Sequence, residues 1–213
     1  MSTLLLTGWC GPEFAGIARH TLPLMERYAQ KHGMDYKCVN LHADDAPPSW
    51  VKVPRIISAL KSRHRDTVVW LDADVVVFRS DVNILDDFDA SKWQGLVEHE
   101  TESGLVPNCG VWVVTKEMLS TLEQIWMDRS RFLHHWWWEQ AAVLDKMGYR
   151  LASGAPIASR GEPTILFDRT EFLPARWNHH PKDARRDANA HFVHVTQYVY
   201  REAACREFAA HAT

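Results

Sequence analysis

The chain has no long hydrophobic run. No stretch reaches the roughly 20 apolar residues that a membrane-spanning helix needs, and the opening Leu4, Leu5 and Leu6, with no basic residue ahead of them, are too short for a secretory leader. It has only four cysteines, Cys10, Cys38, Cys109 and Cys205, scattered without a CxxC pair, which argues against a zinc site or a redox motif and suits a reducing, cytoplasmic setting. It lacks an excess charge of one sign: the net charge is -3, so nucleic acid or an anionic membrane would need a local basic patch. The one candidate, Lys182, Arg185 and Arg186, is interleaved with Asp183 and Asp187 and reads as a solvated mixed-charge turn. Internal repeats, low-complexity linkers and a G-x-G-x-x-G phosphate loop are also missing.

What is present is a globular composition, 46% apolar and 24% charged, in 213 residues. That length suits a single domain over 1–213, burying roughly 70% of its unfolded surface. Ten tryptophans are many for this length, and flat aromatic faces suit sugar rings as well as a core. The consecutive Trp136, Trp137 and Trp138 cannot all face one side of a helix, so at least one should line a cleft.

Elements alternate along the chain. Leu4–Leu6 reads as a buried strand closed by the turn Gly8-Trp9-Cys10-Gly11-Pro12. Helical spacing from Phe14 to Ala29 follows, with Pro23 as an expected kink or break and Gly33 as its stop. Tyr36–Leu41 is a strand, His42–Ser49 a loop, and Val53, Ile56, Ile57 and Leu60 one face of a helix that Pro54 is suited to start. Thr67–Leu71 is continuously apolar, as in a strand covered on both faces. Further strands are expected at 95–97, 111–114, 164–167 and 191–196, helices at 117–129 and 137–147, and a proline-flanked turn at 174–181. Strand and helix in alternation predict an α/β fold with a mostly parallel central sheet flanked by helices.

The apolar strand runs directly into Asp72-Ala73-Asp74. Carboxyl ends of such strands are where open α/β sheets place ligands. Two carboxylates one residue apart there are costly to bury unless a cation pairs with them, and they suit a hard divalent ion that bridges protein to phosphate.

Trp70-Leu71-Asp72-Ala73-Asp74-Val75-Val76-Val77 resembles the D-x-D strand of GT-A nucleotide-sugar glycosyltransferases, especially the retaining families that include glycogenin, bacterial α-galactosyltransferases and xyloglucan xylosyltransferases. Further segments resemble these families in order from about Leu4 to Thr196. Ser49-Trp50-Val51-Lys52-Val53-Pro54 resembles the segment before the D-x-D strand, which implies that Lys52 or Arg55 faces the nucleotide or its phosphates. Pro107-Asn108-Cys109-Gly110-Val111 is similar to the strand whose asparagine touches the donor sugar, with proline in place of the usual aromatic residue. Trp138-Glu139-Gln140-Ala141-Ala142-Val143-Leu144 resembles the helix that presents an acid and an amide, here Glu139 and Gln140, to the reacting sugar. Leu173-Pro174-Ala175-Arg176-Trp177-Asn178 resembles the turn near the donor pocket, which adds Asn178. The Gly8-Trp9 turn lies where these enzymes bind the nucleotide base and ribose.

The resemblance also implies a metal-binding histidine near the end of the chain, in one of two registers. His194 follows the apolar Phe192-Val193, whereas His191-Phe192-Val193-His194 also reads as the family's H-F-x-G. The glycine and the K-P-W sequence of the glycogenin group are absent. Residues three apart on a regular strand face opposite ways, so only one of the two should reach the ion held by Asp72 and Asp74.

The implied activity is transfer of a sugar from a nucleotide diphosphate donor, usually UDP-linked, with Mn²⁺ or Mg²⁺ as cofactor and with retention of configuration. The acceptor stays open between glycan, protein, small molecule and modified nucleic acid. Two other readings fit a D-x-D strand: a haloacid-dehalogenase-like phosphatase, whose remaining motifs cannot be placed here, and an inactive nucleotide-sugar binding module.

Overall fold

The computed structural model describes residues 2–42, 46–101, 104–153, 155–181, 189–196 and 199–213. The basic cluster around Lys182, Arg185 and Arg186 lies outside the described residues. In chain order the elements are β1 (Thr3–Trp9), α1 (Gly11–Lys31), β2 (Asp35–Asn40), α2 (Pro48–Leu60), β3 (Thr67–Asp72), β4 (Val75–Val77), β5 (Gln94–Thr101) and β6 (Gly104–Thr115). Then come α3 (Leu119–Met127), α4 (Trp138–Lys146), β7 (Tyr149–Leu151), β8 (Ala158–Arg160), α5 (Ile165–Asp168), β9 (Thr170–Phe172), β10 (Phe192–His194) and α6 (Arg201–Ala210).

The main sheet has the order β2-β1-β3-β6-β5-β9. β1 pairs in parallel with β2 and β3, and β9 in parallel with β5, while β6 runs against both its neighbours. Both faces are covered, and alternation along each strand feeds two cores. Leu4, Leu6, Val68, Trp70, Trp112 and Val114 pack in one core with residues of α2, α3 and α4. Leu5, Val69, Leu71, Val111 and Val113 point the other way into a core shared with α1, α6, β4 and β10. At about 25 cal/mol per Å² of apolar surface, this double burial is what holds the central strands.

Several local expectations change. α1 continues through Pro23, whose ring is exposed; the forfeited ladder bond is outweighed by Ile17, Met25, Tyr28 and Ala29, which are buried on the inner face. Helix α2 begins at Pro48 rather than Pro54, which lies within it. The expected strand at 164–167 is instead the short helix α5, because the Thr164 hydroxyl accepts the Phe167 N–H at 3.3 Å and caps a helical turn. The strand follows at β9. Gly148, at φ +90, does stop α4, in a backbone region open to glycine.

Two features position the site. The antiparallel pair β10 and β4 sets His194 opposite Val75, just after the D-x-D turn. Between β5 and β6 the register jumps from Leu96–Trp112 to Val97–Asn108, leaving Cys109, Gly110 and Val111 without a β5 partner. Irregularities of this kind re-aim side chains beside sites.

Candidate active site

A cleft of about 740 Å³ opens at the carboxyl ends of β1 and β3, with Gly8, Trp9, Asp72 and Asp74 in its wall. The two carboxylates diverge to different supports. Asp72 lies on the Trp70 side of β3 and accepts the Trp70 indole N–H at 2.7 Å and the Lys52 ammonium at 2.8 Å. Asp74 lies 3.4 Å (Oδ1) from His194 Nε2 and 3.6 Å (Oδ2) from the Arg201 guanidinium, at the start of α6. Ligand atoms of Asp72, Asp74 and His194 fall within 4.8 Å of one another.

Lys52 is only 3% exposed and also reaches Glu139 Oε1 at 2.8 Å, so one buried ammonium joins two acids. Burial opposes its charge, but Asp72 and Glu139 outweigh that and hold the ammonium above its usual range. Burial pushes the Glu139 carboxyl up, and Lys52 pulls it only part of the way back. Its second oxygen is buried with no hydrogen-bond partner. Burial likewise opposes the charge on Asp74, yet His194 and Arg201 keep that carboxyl below the usual range.

Behind these groups runs a hydrogen-bond chain whose polarity is set by two backbone amides. Gly110 N–H donates to Asn108 Oδ1 at 2.9 Å, so the Asn178 amide that meets the same oxygen at 3.0 Å must donate to it. Asn178 Oδ1 is then the acceptor facing His194 Nδ1 at 3.0 Å. At the other end Asn108 Nδ2 and the Cys109 N–H both donate to Gln140 Oε1, at 3.1 and 3.3 Å. The consequence is geometric: His194 Nδ1 donates to Asn178, which fixes the ring with Nε2 aimed at Asp74. Nε2 and Asp74 Oδ1, 3.4 Å apart, are placed where a proton or a metal ion can be shared between them. This donor set, two carboxylates and an imidazole oriented by a second hydrogen bond, fits Mn²⁺ or Mg²⁺. Gly110 makes room for it, since a Cβ there would lie 2.6 Å from His194 Nδ1.

The structure therefore brings Gly8, Trp9, Lys52, Asp72, Asp74, Asn108, Glu139, Gln140 and His194 into one cleft wall, with Asn178 buried directly behind. Two expected residues are elsewhere. Arg55 is exposed on α2 and donates to the Asn40 carbonyl at 3.4 Å, outside the cleft. His191 stacks on Trp177 with ring centroids 4.8 Å apart and lies 3.6 Å from Asp81, away from the carboxylate pair. Lys52 is in the cleft, but its ammonium is engaged by the two acids.

Two residues escaped sequence reasoning. Arg201 follows an exposed Val199-Tyr200 pair with no motif around it. His99, on β5, lines the cleft and donates from Nε2 to the Asn178 carbonyl at 2.7 Å. Burial and the adjacent His194 lower its pKa to about 4, so it is neutral near pH 7. Neither residue has a local sequence signal.

No family model matches the chain, and no curated protein matches it in sequence. Solved structures do resemble it. A glycosyltransferase involved in the glycosylation of the major capsid of PBCV-1 superposes with a TM-score of 0.73 at 21% identity, over 99% of this chain and 100% of that one. The galactosyltransferase LgtC, solved with donor and acceptor sugar analogues, gives 0.59 at 11% identity over 100% and 96%. Glycosyltransferase GlyE of Streptococcus pneumoniae TIGR4 gives 0.57 at 12% over 98% and 60%. At these identities the likeness is one of fold, and the chain has the GT-A type of glycosyltransferase fold, a mixed α/β sheet flanked by helices.

Proposed function

We propose that this chain is a metal-dependent glycosyltransferase that moves a sugar from a nucleotide diphosphate donor, UDP-linked by the family resemblance, to an acceptor. The observation that carries the reading is the convergence of Asp72, Asp74 and an Nδ1-protonated His194 at the mouth of a cleft in this fold. When bound there, a divalent ion supplies the positive charge that stabilises a departing diphosphate. Asp72, Asp74 and His194 would hold it, and Asn178 would keep the imidazole in the ligating tautomer.

Glu139 and Gln140 open α4 on the cleft wall, where the reacting sugar would sit. Lys52 holds one oxygen of the Glu139 carboxyl at 2.8 Å, and the second oxygen is buried without a hydrogen-bond partner. In its ionised form, a Glu139 carboxylate at this position would favour positive charge building on the sugar, which suits retention of configuration. Asn108 and Gln140, locked to each other, set the polar floor against which the donor hydroxyls are positioned.

A thermal-shift panel of nucleotide sugars with and without Mn²⁺ tests this reading. A donor at a hundred times its Kd adds about 2.7 kcal/mol, or about 5–11 °C for a chain of this size. The shift should require the metal. If no nucleotide sugar raises the melting temperature with Mn²⁺ or Mg²⁺ present, the reading is wrong.

A further inference from the structure

The cleft wall next to Glu139 is built from three consecutive tryptophans that the donor and metal sites do not use. Trp137 is partly buried against the core, while Trp136 and Trp138 remain 64% and 42% exposed, and all three line the cleft. Leaving two indoles in water forgoes hydrophobic stabilisation that the core could have gained. The backbone adds a second cost. Trp138 has φ 41, the one non-glycine residue at positive φ among the described residues, and a bulky side chain in that region is strained. Glycine would relieve it. The bend is pinned on both sides, by Trp138 N–H on the His135 carbonyl at 3.1 Å and by Trp137 N–H on His135 Nδ1 at 3.2 Å. Strain held in place beside a candidate active site is a sign of a functional constraint.

We infer that Trp136 and Trp138 form the acceptor platform, and that the acceptor is an uncharged saccharide; this rests on the glycosyltransferase reading of the same cleft. The location follows from the chain: Trp138 immediately precedes Glu139, so a ring stacked on it lies next to the place where the transferred sugar would react. The chemistry follows from the wall. Among the described residues its lysines and arginines are Lys52 and Arg201, and its acids are Asp72, Asp74, Glu100 and Glu139. Both cations are already engaged by carboxylates. A nucleic acid could stack its bases on indoles, but its phosphates need unspent basic groups, and the described residues of this wall have a surplus of acids. A pyranose presents an apolar C–H face to an aromatic ring and hydroxyls at its edge. Thr101, His99 and Glu100, on the polar part of the wall, offer partners for those hydroxyls.

Saturation-transfer NMR on the intact protein with Mg²⁺ and UDP tests this, using maltotriose, cellotriose and lactose as probes and hexathymidylate as the polyanionic alternative. At least one saccharide should receive saturation on its ring C–H protons. Trp136→Ala and Trp138→Gly should each weaken it about tenfold or more and leave UDP affinity within about twofold, while Trp138→Phe should retain most of the binding. Trp138→Gly removes the ring and suits the backbone, so it should melt no lower than Trp138→Ala, which guards against loss of fold. Absence of saccharide binding at 20 mM while UDP binds would overturn the inference and leave the transferase reading standing. So would weaker UDP binding in the tryptophan variants, which would assign the platform to the donor, or tighter binding of hexathymidylate than of any saccharide. Saccharide binding without any nucleotide binding would instead refute the transferase reading and leave a carbohydrate cleft.

Discussion

Replacing Lys52 by Met removes the buried ammonium that joins Asp72 to Glu139 and keeps roughly its length and apolar stem. Asp72 is partly open to water and can be resolvated, but Glu139 is not. Removing one partner of a buried pair costs about 3–5 kcal/mol. A ceiling comes from proton uptake: with a reference pKa of about 4.3, holding Glu139 protonated at pH 7 costs about 3.7 kcal/mol. The loss at pH 7 is therefore about 3–4 kcal/mol, which lowers the melting temperature by about 6–16 °C.

The pH dependence has a definite sign. Burial already raises the Glu139 pKa, and without Lys52 nothing comparable lowers it. A carboxyl whose folded pKa is raised has its stability in full below the unfolded pKa and loses it as pH rises through the folded value. At pH 5 the same proton costs about 1 kcal/mol, so the gap between variant and wild type should narrow, by at most about 2.7 kcal/mol or about 5–11 °C, because the wild-type carboxyl is itself raised. Thermal melts of both proteins in chelated buffer at pH 5 and pH 7 measure it. An equal gap at the two pH values, or a melting temperature within about 2 °C of wild type at pH 7, would refute the argument that Lys52 holds down the Glu139 pKa.

Asp74→Asn keeps the shape and removes one metal charge, so folding should be nearly intact while Mn²⁺ affinity falls by at least the 10–100-fold typical of outer-shell losses; calorimetric titration with Mn²⁺ reads it, and donor turnover at the native rate would contradict the metal role. His194→Ala should weaken metal and donor binding together, whereas His191→Ala should act on stability through its Trp177 stack; the reverse pattern in the same titration would reassign the ligand. Gly110→Ala introduces a methyl 2.6 Å from His194 Nδ1 and should lower Mn²⁺ affinity about 10–100-fold although no ligand is changed. An unaltered titration curve for that variant would mean that the imidazole orientation does not matter.

The sequence by itself determined the strand that carries the site. Val68–Leu71 is apolar at every position because β3 is buried on both faces, and that continuity is visible without coordinates, as is the pair of acids that follows it. Asn108, Glu139 and Gln140 were pointed to by segments that resemble the GT-A families, and the structure puts all three on the cleft wall. Only tertiary structure decided between neighbours of similar type. Lys52 and Arg55 are both cations on one helix, and what separates them is that α2 turns Lys52 into the cleft and Arg55 to solvent. His191 and His194 were separated by the pairing of β10 with β4 and by the Asn178 side chain, which reaches His194 from 16 residues away. Arg201 and His99 had no sequence signal because their place depends on α6 packing against α1 and on the register slip between β5 and β6. A site residue is readable from sequence when its own neighbours fix its environment; when residues a hundred positions away do so, the fold has to be seen.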